Sequence, residues 1–423
     1  MLYERWRKIS TERRDAVALR DFASGQCWTF AELFAAGENR NGAPAASPAS
    51  PRNFALPQGH SPEFVFDLLA AWRENKTVCP LEAGQSPPEI STPPDNWIHL
   101  KSTSATGGAA RFVAFTAEQL MADAENIVAT MGLRPDWPNL GVISLAHSYG
   151  FSNLILPLLL HGIPLILAPA PLPEIIRRAA GNESGITLPA VPAMWRAWHG
   201  AMAVPQNVRL AISAGAPLPV NLEQEVFKSC GVKIHNFLGS SECGGIAYDA
   251  NEAPRTDSAF IGSPMQNVNL SLNGEGCLVV RSRAVAETYW PEESDSLGGG
   301  IFQTSDLAEL KSGQVFLRGR RGDQINVAGR KISPETIERA LLAHPRVREC
   351  LVFGVPSRVA GRTESIIAVV ASNVTEAELK NFLLQSLPAW QVPREWIFVG
   401  SLPVNARGKI SRAEWRQRLE SRL

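Results

Sequence analysis

The sequence predicts an α/β protein: a large N-terminal domain of mainly parallel sheets with packed helices, a small β subdomain, and a small α+β domain at the C-terminal end. Segments of strand and helix character alternate between about residues 139 and 240, which is typical of parallel sheets covered by helices. After about residue 260, apolar and polar residues alternate with glycine at the turns, as in antiparallel hairpins. The last segment, roughly a hundred residues, mixes helices and strands and is long enough for a separate domain.

The individual elements follow from apolar spacing. The stretch "SPEFVFDLLAAWRENKTVCPLE" predicts a helix followed by a short strand. The alternating part then predicts, in order, strand "LGVISLA", helix "NLILPLLLHG", strand "PLILA", helix "LPEIIRRAAGN", strands "GITLPAVP" and "VRLAISAGAPL", helix "PVNLEQEVFKSC" and strand "VKIHNFLG". Ser333 followed by Pro334 is typical of a helix start, with an N-cap and proline in the first turn. Because ligands of parallel sheets bind beyond the carboxyl ends of the strands, we expect the functional residues in those loops.

Composition excludes several classes of protein. Of 423 residues, 45% are hydrophobic and 19% charged, which fits a globular enzyme-sized protein. Basic and acidic residues are equal in number, 41 each, so no overall field attracts nucleic acid. Six cysteines occur without a C-x-x-C pair, which indicates neither a zinc site nor a disulfide framework.

The most apolar stretch, residues 153–172, is about long enough to span a bilayer, but prolines, a histidine and a glycine interrupt it. We therefore expect a buried helix, a turn and a strand there, and no stable membrane insertion. The first residues lack the apolar core of a secretion signal. A cytoplasmic location is expected.

The run "TSATGGAAR", residues 103–111, is rich in small residues, and alone it is more typical of a plain loop than of a phosphate-binding loop. Several other segments follow it in order: "SAGAPL", "NFLGSSE", "QTSD", "GRRGDQINVAGRKISPETIE" and "LPVNARGKISR". Each also has a structural explanation when taken alone. Glu242 is compatible with a helix cap, Asp306 with a turn residue and Lys409 with a solvated surface charge.

Taken together and in this order, the segments resemble the adenylate-forming enzymes, the superfamily of acyl-CoA and aryl-CoA synthetases, luciferases and peptide-synthetase adenylation domains. The resemblance runs from "WTFAEL" near residue 30 to "GKISR" and is most specific at 319–338 and 402–412. It implies an N-terminal domain, 1–321, that binds ATP and the acid. It also implies a mobile C-terminal domain, 322–423, that carries the catalytic lysine. Gly322 would be the hinge between them, with a hairpin-turn glycine as the alternative.

The phosphate loop of that superfamily has the pattern T-S-G-T-T-G-x-P-K. Thr103, Ser104, Thr106 and Gly108 match it, and Arg111 stands where the lysine does. The loop differs from the pattern at residues 105, 107 and 110. The resemblance therefore implies a phosphate-binding loop of altered chemistry, with backbone N–H groups and hydroxyls as its donors.

The resemblance also implies the other nucleotide contacts. The segment Ala214, Gly215, Ala216 and Pro217 would line the adenine and acyl pocket, and Leu238 and Gly239 would lie at the adenine. Asp306 and Arg320 resemble the pair that holds the ribose hydroxyls.

Three residues are implied to act on the reacting groups. Glu242 would hold Mg²⁺, Ser241 would contact the α-phosphate, and Lys409 would close over the α-phosphate and the attacking carboxylate. A carboxylate that attacks a phosphate brings two anions together, so a metal ion and a lysine are needed to offset that charge.

The acid pocket is less specified. "HSYGF" would supply an aromatic wall through His147 and Phe151, and Gly244 and Gly245 would leave room for an extended tail. No aspartate stands where amino-acid-activating relatives place one, which favours a plain organic acid. His147 is equally compatible with a buried core histidine.

The implied function is ATP-dependent activation of an aromatic or fatty carboxylic acid to an acyl-adenylate. Transfer to the thiol of coenzyme A, or to the phosphopantetheine of an acyl carrier protein, would follow. Two alternatives stay open: a degenerate relative that binds nucleotide or acyl ligand without catalysis, and an enzyme that passes the acyl group to a non-thiol acceptor.

Overall fold

The computed structural model describes residues 1–40, 54–88, 94, 96–103, 111–181, 183–357, 364–402 and 412–420. A π-helical turn occurs at Phe151–Ile155, and short 3-10 helices occur at Arg321–Asp323 and Ala389–Gln391. The α-helices of these ranges are α1 Leu2–Glu12, α2 Phe30–Asn39, α3 Pro62–Arg73, α4 Ala117–Met131, α5 Ser148–Gly150, α6 Leu156–His161, α7 Pro173–Ala180, α8 Pro192–Gly200, α9 Val220–Cys230, α10 Pro334–Leu342, α11 Glu376–Leu384 and α12 Arg412–Glu420.

The strands alternate with these helices in the first half and follow one another in the second. They are β1 Val17–Asp21, β2 Cys27–Thr29, β3 Phe54–Ala55, β4 Thr77–Val78, β5 His99–Thr103, β6 Arg111–Phe115, β7 Asn139–Gly141, β8 Leu165–Leu167, β9 Ile186–Ala190, β10 Val208–Ser213, β11 Ile234–Ser240, β12 Gly244–Tyr248, β13 Phe260–Pro264, β14 Asn269–Leu272, β15 Cys277–Arg281, β16 Thr288–Trp290, β17 Leu297–Gly298, β18 Ile301–Lys311, β19 Gln314–Arg320, β20 Ile325–Val327, β21 Arg330–Ile332, β22 Val347–Pro356, β23 Glu364–Ser372 and β24 Glu395–Phe398.

The largest sheet joins a parallel part to an antiparallel part. Strands β1, β8, β7, β9, β10 and β11 are parallel neighbours in that order, with β2 antiparallel at the edge. Beyond β11 the order continues β12, β13, β19, β18, β15 and β14, all antiparallel. The predicted fold class is confirmed, and the antiparallel part begins already at β12, before residue 260.

A second sheet carries the hairpin of the small-residue run. Strands β3, β4 and β5 are parallel, while β6 and then β16 add antiparallel. The strand β5 ends at Thr103 and β6 begins at Arg111, which pairs with it in register. The run is therefore the connection of a β-hairpin.

The most apolar stretch of the chain forms the buried helix, turn and strand that its interruptions predict. Helix α6 ends at His161, Gly162 follows it in a left-handed conformation (φ +69°), and β8 comes next. Pro157 has no N–H for the carbonyl of Asn153 four residues earlier. That carbonyl accepts instead from Nδ2 of Asn139, at 3.1 Å. Among the described residues, no helix is both long and apolar enough to cross a bilayer.

The predicted strand "LGVISLA" is shorter in the structure, where β7 ends at Gly141. Beyond it the chain packs tightly on α5, because a Cβ atom on Gly150 would lie 1.9 Å from the carbonyl oxygen of Ser144. Residues 142–146 therefore leave the sheet although their apolar pattern continues. The strand prediction is wrong for that part.

Four charged side chains meet inside the large N-terminal part. Lys233 contacts Glu223 and lies 2.7 Å from Asp249, while Arg255 Nε lies 2.7 Å from the second oxygen of Glu223. All four are at most 8% exposed. Two cations and two anions thus offset one another and join α9 to the residue before β11 and to the segment after β12.

The C-terminal part has apolar clusters of its own on both faces of the β22–β23–β24 sheet. One face packs against Ile337 and Leu341 of α10 and Leu379 of α11. The other face packs against Leu402 and Trp415. Alternate residues of β22 and β23 point to opposite faces, which explains their near-continuous apolar sequence.

Arg412, the first residue of α12, joins that helix to the remainder of the C-terminal part. Its guanidinium lies 2.8 Å from Asp323, 2.9 Å from Glu335 and 2.7 Å from Glu338, and its Nε donates to the carbonyl of Val352. Asp323 belongs to the 3-10 helix that contains Gly322. The segment next to the predicted hinge and the last helix thus share one ionic contact.

Candidate active site

The phosphate-loop prediction falls only partly on described residues. The backbones of Thr103 and Arg111 close the hairpin from both sides. Ser104, Thr106 and Gly108 lie outside the described residues, as does Lys409. The roles implied for these four residues stay predictions.

Arg111 and Glu242 are joined through a tyrosine. The guanidinium carbon of Arg111 lies 3.6 Å from the ring centroid of Tyr289 in β16. The Tyr289 hydroxyl donates to Oε1 of Glu242 at 3.1 Å. Burial raises the pKa of Tyr289, and the Glu242 charge raises it further, so the phenol stays protonated and donates. The hairpin and the predicted metal ligand therefore form one connected unit.

Glu242 lies in the turn between β11 and β12. Its N–H donates to Oγ of Ser240 at 3.2 Å, and Ser148 donates its hydroxyl to Oγ of Ser241 at 2.9 Å. The first contact stabilises the turn itself, and the second joins the turn to α5. Ser241 and Glu242 directly follow β11, at the carboxyl edge of the parallel strands.

The single carboxylate of Glu242 fits Mg²⁺ better than it fits a metal ion whose ligands are all protein side chains. Among the described residues, no group of three or more His, Cys, Asp or Glu side chains could enclose a metal ion. Mg²⁺ typically binds through one or two carboxylates and takes its other ligands from water and phosphate. The Glu242 carboxylate alone is compatible with that mode of binding.

Asp123 of α4 supports this turn from inside the protein. Its Oδ1 accepts from the N–H of Gly245 at 3.2 Å, and its Oδ2 accepts from the Ser152 hydroxyl at 2.6 Å. Gly244 has φ +66°, and a Cβ atom there would lie 1.9 Å from Oδ1 of Asp123. The backbone of the turn is therefore in direct contact with a buried carboxylate.

This packing corrects one expectation. Gly244 and Gly245 were expected to leave room for a substrate tail, but protein atoms take that space. Besides the Asp123 contact at Gly244, a Cβ atom on Gly245 would lie 2.2 Å from the sulfur of Met265. Glycine at Gly244 is favoured by both its φ and the contact with Asp123, whereas the Met265 side chain occupies the space beside Gly245. The place of both glycines in the acid pocket stays a prediction.

The segment 214–217 follows β10 at the carboxyl edge of the sheet, where the adenine and acyl pocket is predicted. Ala214 is buried, and its N–H donates to the carbonyl of Ala190 at 3.2 Å. Gly215, Ala216 and Pro217 are exposed at the surface, as a ligand-facing segment requires. Leu238 is half-buried on the neighbouring strand, β11, with exposed Gly239 after it.

Asp306 and Arg320 lie side by side. They are register partners on β18 and β19, and Nε of Arg320 donates to Oδ1 of Asp306 at 2.9 Å. The Asp306 side chain is 18% exposed and the Arg320 side chain 61%. The structure thus brings together the two residues that the resemblance pairs at the ribose.

The two residues of "HSYGF" have different surroundings. His147 is half-buried and precedes α5, so it is not a fully buried core histidine. Phe151 is 1% exposed, and its ring centroid lies 4.3 Å from that of His99. Between them, Tyr149 packs near Phe237 below the carboxyl ends of β9 and β10, with its hydroxyl at hydrogen-bonding distance from the carbonyls of both strands.

Gly322 lies in the 3-10 helix after β19, and a Cβ atom there would meet nothing within 4 Å. A tight turn therefore does not require glycine at this position. The hinge role stays a prediction.

Two family models match the chain. One, described as AMP-binding enzyme, matches residues 57–290, which is more than half of the chain; the other, AMP-binding enzyme C-terminal domain, matches residues 336–409. The chain belongs to the AMP-binding enzyme family. The resemblance to adenylate-forming enzymes is thereby confirmed.

This AMP-binding enzyme has relatives named as CoA ligases. It is 28% identical over 338 residues to the 2-succinylbenzoate–CoA ligase of Bacillus cytotoxicus, across 76% of this chain and 70% of that protein. It is 28% identical over 251 residues to an uncharacterized acyl–CoA ligase of Bacillus subtilis, YhfT, across 56% of this chain and 51% of that protein.

Solved structures share the fold of this AMP-binding enzyme. ATP-bound MatB from Rhodopseudomonas palustris is 19% identical, with a TM-score of 0.84 and 99% of both chains covered. The AMP complex of O-succinylbenzoate coenzyme A synthetase from Bacillus subtilis is 20% identical, with a TM-score of 0.81 and 97% of both chains covered. The amide bond synthetase McbA from Marinactinospora thermotolerans is 19% identical, with a TM-score of 0.82 and 99% of both chains covered.

Sequence reasoning about this AMP-binding enzyme missed Tyr289 and Asp123. Tyr289 is distant from the motifs in the chain, and Asp123 reads as a polar residue of an amphipathic helix. Asp123 is nevertheless 1% exposed and lies on the α4 face that bears Leu120 and Ile127. A charged residue on an apolar helix face was the available signal.

Proposed function

We propose that the chain uses ATP to convert a small organic carboxylic acid to an acyl-adenylate and then transfers the acyl group to the thiol of coenzyme A. The observation that carries this proposal is the contact chain from Arg111 through Tyr289 to Glu242. It connects the Arg111 cation to the carboxylate that we propose to bind Mg²⁺, where the small-residue hairpin meets the carboxyl edge of the sheet. Membership of the AMP-binding family and relatives named as CoA ligases support it.

In the first half-reaction, the acid carboxylate attacks the α-phosphate and pyrophosphate leaves. Arg111 keeps a positive charge at the hairpin that would hold the leaving phosphates. Tyr289 orients the Glu242 carboxylate through its hydrogen bond. Mg²⁺, when bound there, would neutralise phosphate charge. Asp306 would accept hydrogen bonds from the ribose hydroxyls, and Lys409 would offset the charge on the α-phosphate.

In the second half-reaction, the thiol attacks the acyl carbon and AMP leaves. We propose that residues 322–423 turn relative to residues 1–321 between the two steps, because one pocket serves both. The separate apolar clusters of the two parts support this division. The acyl acceptor is proposed as coenzyme A; a carrier-protein phosphopantetheine presents the same thiol.

The test is exchange of labelled pyrophosphate into ATP, measured over a panel of aromatic, aliphatic and dicarboxylic acids. We expect exchange with a subset of acids, followed by thioester formation with coenzyme A by mass spectrometry. Nucleotide binding without exchange for any acid would favour the non-catalytic alternative. Exchange without thioester on coenzyme A or a carrier, but with an amide product, would favour a non-thiol acceptor.

A further inference from the structure

Lys101 is a buried cation in the strand that leads into the hairpin. Lys101 is 4% exposed, and its ammonium makes no hydrogen bond within the described part of the chain. The ammonium nitrogen lies 4.4 Å from the ring centroid of Phe115 on the neighbouring strand. A cation–π contact of this kind offsets part of the cost of burial but uses none of the three ammonium donors.

The charged groups around Lys101 belong to the candidate site. Burial lowers the pKa of Lys101, and the charges of Asp123 and Glu242 oppose that shift. The other titratable neighbour is His99, on the same strand, whose pKa burial holds well below its usual range, so its ring is neutral. Lys101 is therefore electrostatically coupled to the turn that carries Glu242.

Strand geometry directs Lys101 to the same side of the hairpin as Arg111. Paired residues of antiparallel strands share a face, and so do alternate residues of one strand, so Lys101, its partner Val113 and Arg111 lie on one face. Across the hairpin, Thr103 pairs with Arg111, and Lys101 pairs with Val113. Val113 and Arg111 are two residues apart along β6, about 6.6 Å between Cα atoms, so the Lys101 and Arg111 side chains leave the hairpin at neighbouring positions of one face.

We propose that Lys101 is a second cation of the nucleotide site, which stabilises the β- and γ-phosphates of ATP and contributes little to the binding of AMP. The proposal rests on the proposed function, because it takes the hairpin as the phosphate site. A polyphosphate beside Glu242 brings more negative charge than one carboxylate-bound metal ion neutralises. A buried ammonium with unused donors that is electrostatically coupled to that carboxylate is suited to offset the remainder, because its charge is only weakly screened by solvent.

A competing explanation is that Lys101 serves only as the counter-ion of Asp123. The Asp123 carboxylate accepts hydrogen bonds from Ser152 and Gly245, and neither donor carries a charge. In that case, loss of the lysine would destabilise the turn and would affect all nucleotides alike. The two explanations predict different losses of affinity for ATP and for AMP when Lys101 is replaced. They also predict different ATP affinities when Asp123 is replaced together with Lys101.

The experiment is calorimetric titration of the full chain with ATP and with AMP, both in excess Mg²⁺. For Lys101→Met we expect the Kd for ATP to rise about tenfold or more, and the Kd for AMP to change less than about twofold. Lys8→Met, which removes an exposed lysine of α1, is the matched control and should change neither. Lys101→Gln provides a second uncharged variant if the methionine variant folds poorly.

The double variant Lys101→Met/Asp123→Asn decides between the explanations. We expect it to bind ATP as weakly as the single Lys101 variant. Recovery of ATP affinity, or equal losses for ATP and AMP in the single variants, would overturn the proposal and leave the nucleotide site in place. Failure of the unaltered protein to bind either nucleotide would instead overturn the proposed function, and this inference with it.

Discussion

Tyr289 contacts two site residues with different parts of one side chain. Its ring packs under the Arg111 guanidinium, and its hydroxyl donates to Glu242. A phenylalanine at this position would preserve the first contact and remove the second. The contribution of the hydrogen bond is therefore separable from that of packing.

We predict that Tyr289→Phe lowers the rate of acid-dependent pyrophosphate exchange by about tenfold or more, with little change in melting temperature. A hydrogen bond to a charged group contributes about 1.5–3 kcal/mol, and here it orients the carboxylate proposed to hold Mg²⁺. Tyr248→Phe, in buried β12, is the control for loss of a phenol elsewhere. An unchanged exchange rate would mean that Glu242 does not depend on Tyr289.

Gly244 carries a residue-scale prediction about the same turn. Gly244→Ala would force a left-handed backbone on alanine and place its Cβ atom against Asp123. We expect a loss of about 2 kcal/mol or more in the free energy of unfolding, measured by chemical denaturation. Gly200→Ala, in α8 with open space around its Cβ position, should be near neutral. Equal stabilities of the two variants would contradict the packing role assigned to Gly244.

At the scale of elements, the 3-10 helix Arg321–Asp323 is the segment on which the hinge prediction can be tested. Open space surrounds Gly322, so substitution there changes backbone freedom rather than packing. Proline fixes φ near −65° and also restricts the preceding residue.

We predict that Gly322→Pro forms acyl-adenylate near normally but transfers it to the thiol at least about tenfold more slowly, since one domain orientation is lost. Gly322→Ala is the matched control and should keep both half-reactions. The two half-reactions are measured separately, by pyrophosphate exchange and by thioester formation from synthetic acyl-adenylate, together with a melting curve. Parallel losses in both half-reactions would reject the hinge.

Local patterns predicted the elements better than their ends. Helix α9 follows from apolar spacing, because only one of its faces is buried. Strand β7 is shorter than its apolar pattern, because the contact of Ser144 with Gly150 turns the chain away. That contact is set by tertiary packing, so the local apolar pattern could not predict it.

In the candidate site too, some features were predicted from the sequence and others depend on tertiary contacts. The order of the motifs predicted the family and the Asp306–Arg320 pair. The contact of Asp123 with Gly245 spans 122 residues of sequence and that of Tyr289 with Glu242 spans 47. Pairings at such separations are set by the packing of whole elements, so reading each segment alone could not supply them.

At the scale of the whole molecule, a cluster of buried charges connects α9, the residue before β11 and the segment after β12. Its members are Lys233, Glu223, Asp249 and Arg255. Because all four are shielded from water, removal of one leaves an uncompensated charge in a medium of low dielectric constant.

We predict that Lys233→Met lowers the free energy of unfolding by about 3–5 kcal/mol, since Glu223 and Asp249 would lose their shared cation. The measurement is urea denaturation of the full chain. Arg134→Met breaks the exposed pair with Asp136, whose side chains are 54% and 55% exposed, and should cost less than about 1 kcal/mol. A similar cost for both variants would show that the buried cluster tolerates loss of a charge.

The contact between Asn139 and Asn153 has a consequence for how this chain can change over evolutionary time. Pro157 cannot supply the N–H that a regular α-helix would give the Asn153 carbonyl, and the Asn139 amide on β7 donates to that carbonyl. We expect Asn139 and Pro157 to be inherited as a pair. Relatives that lack the proline should vary freely at position 139, whereas relatives that keep it should retain an amide donor there. An alignment of relatives would reveal that pairing as covariation between a strand and a helix that share no sequence motif.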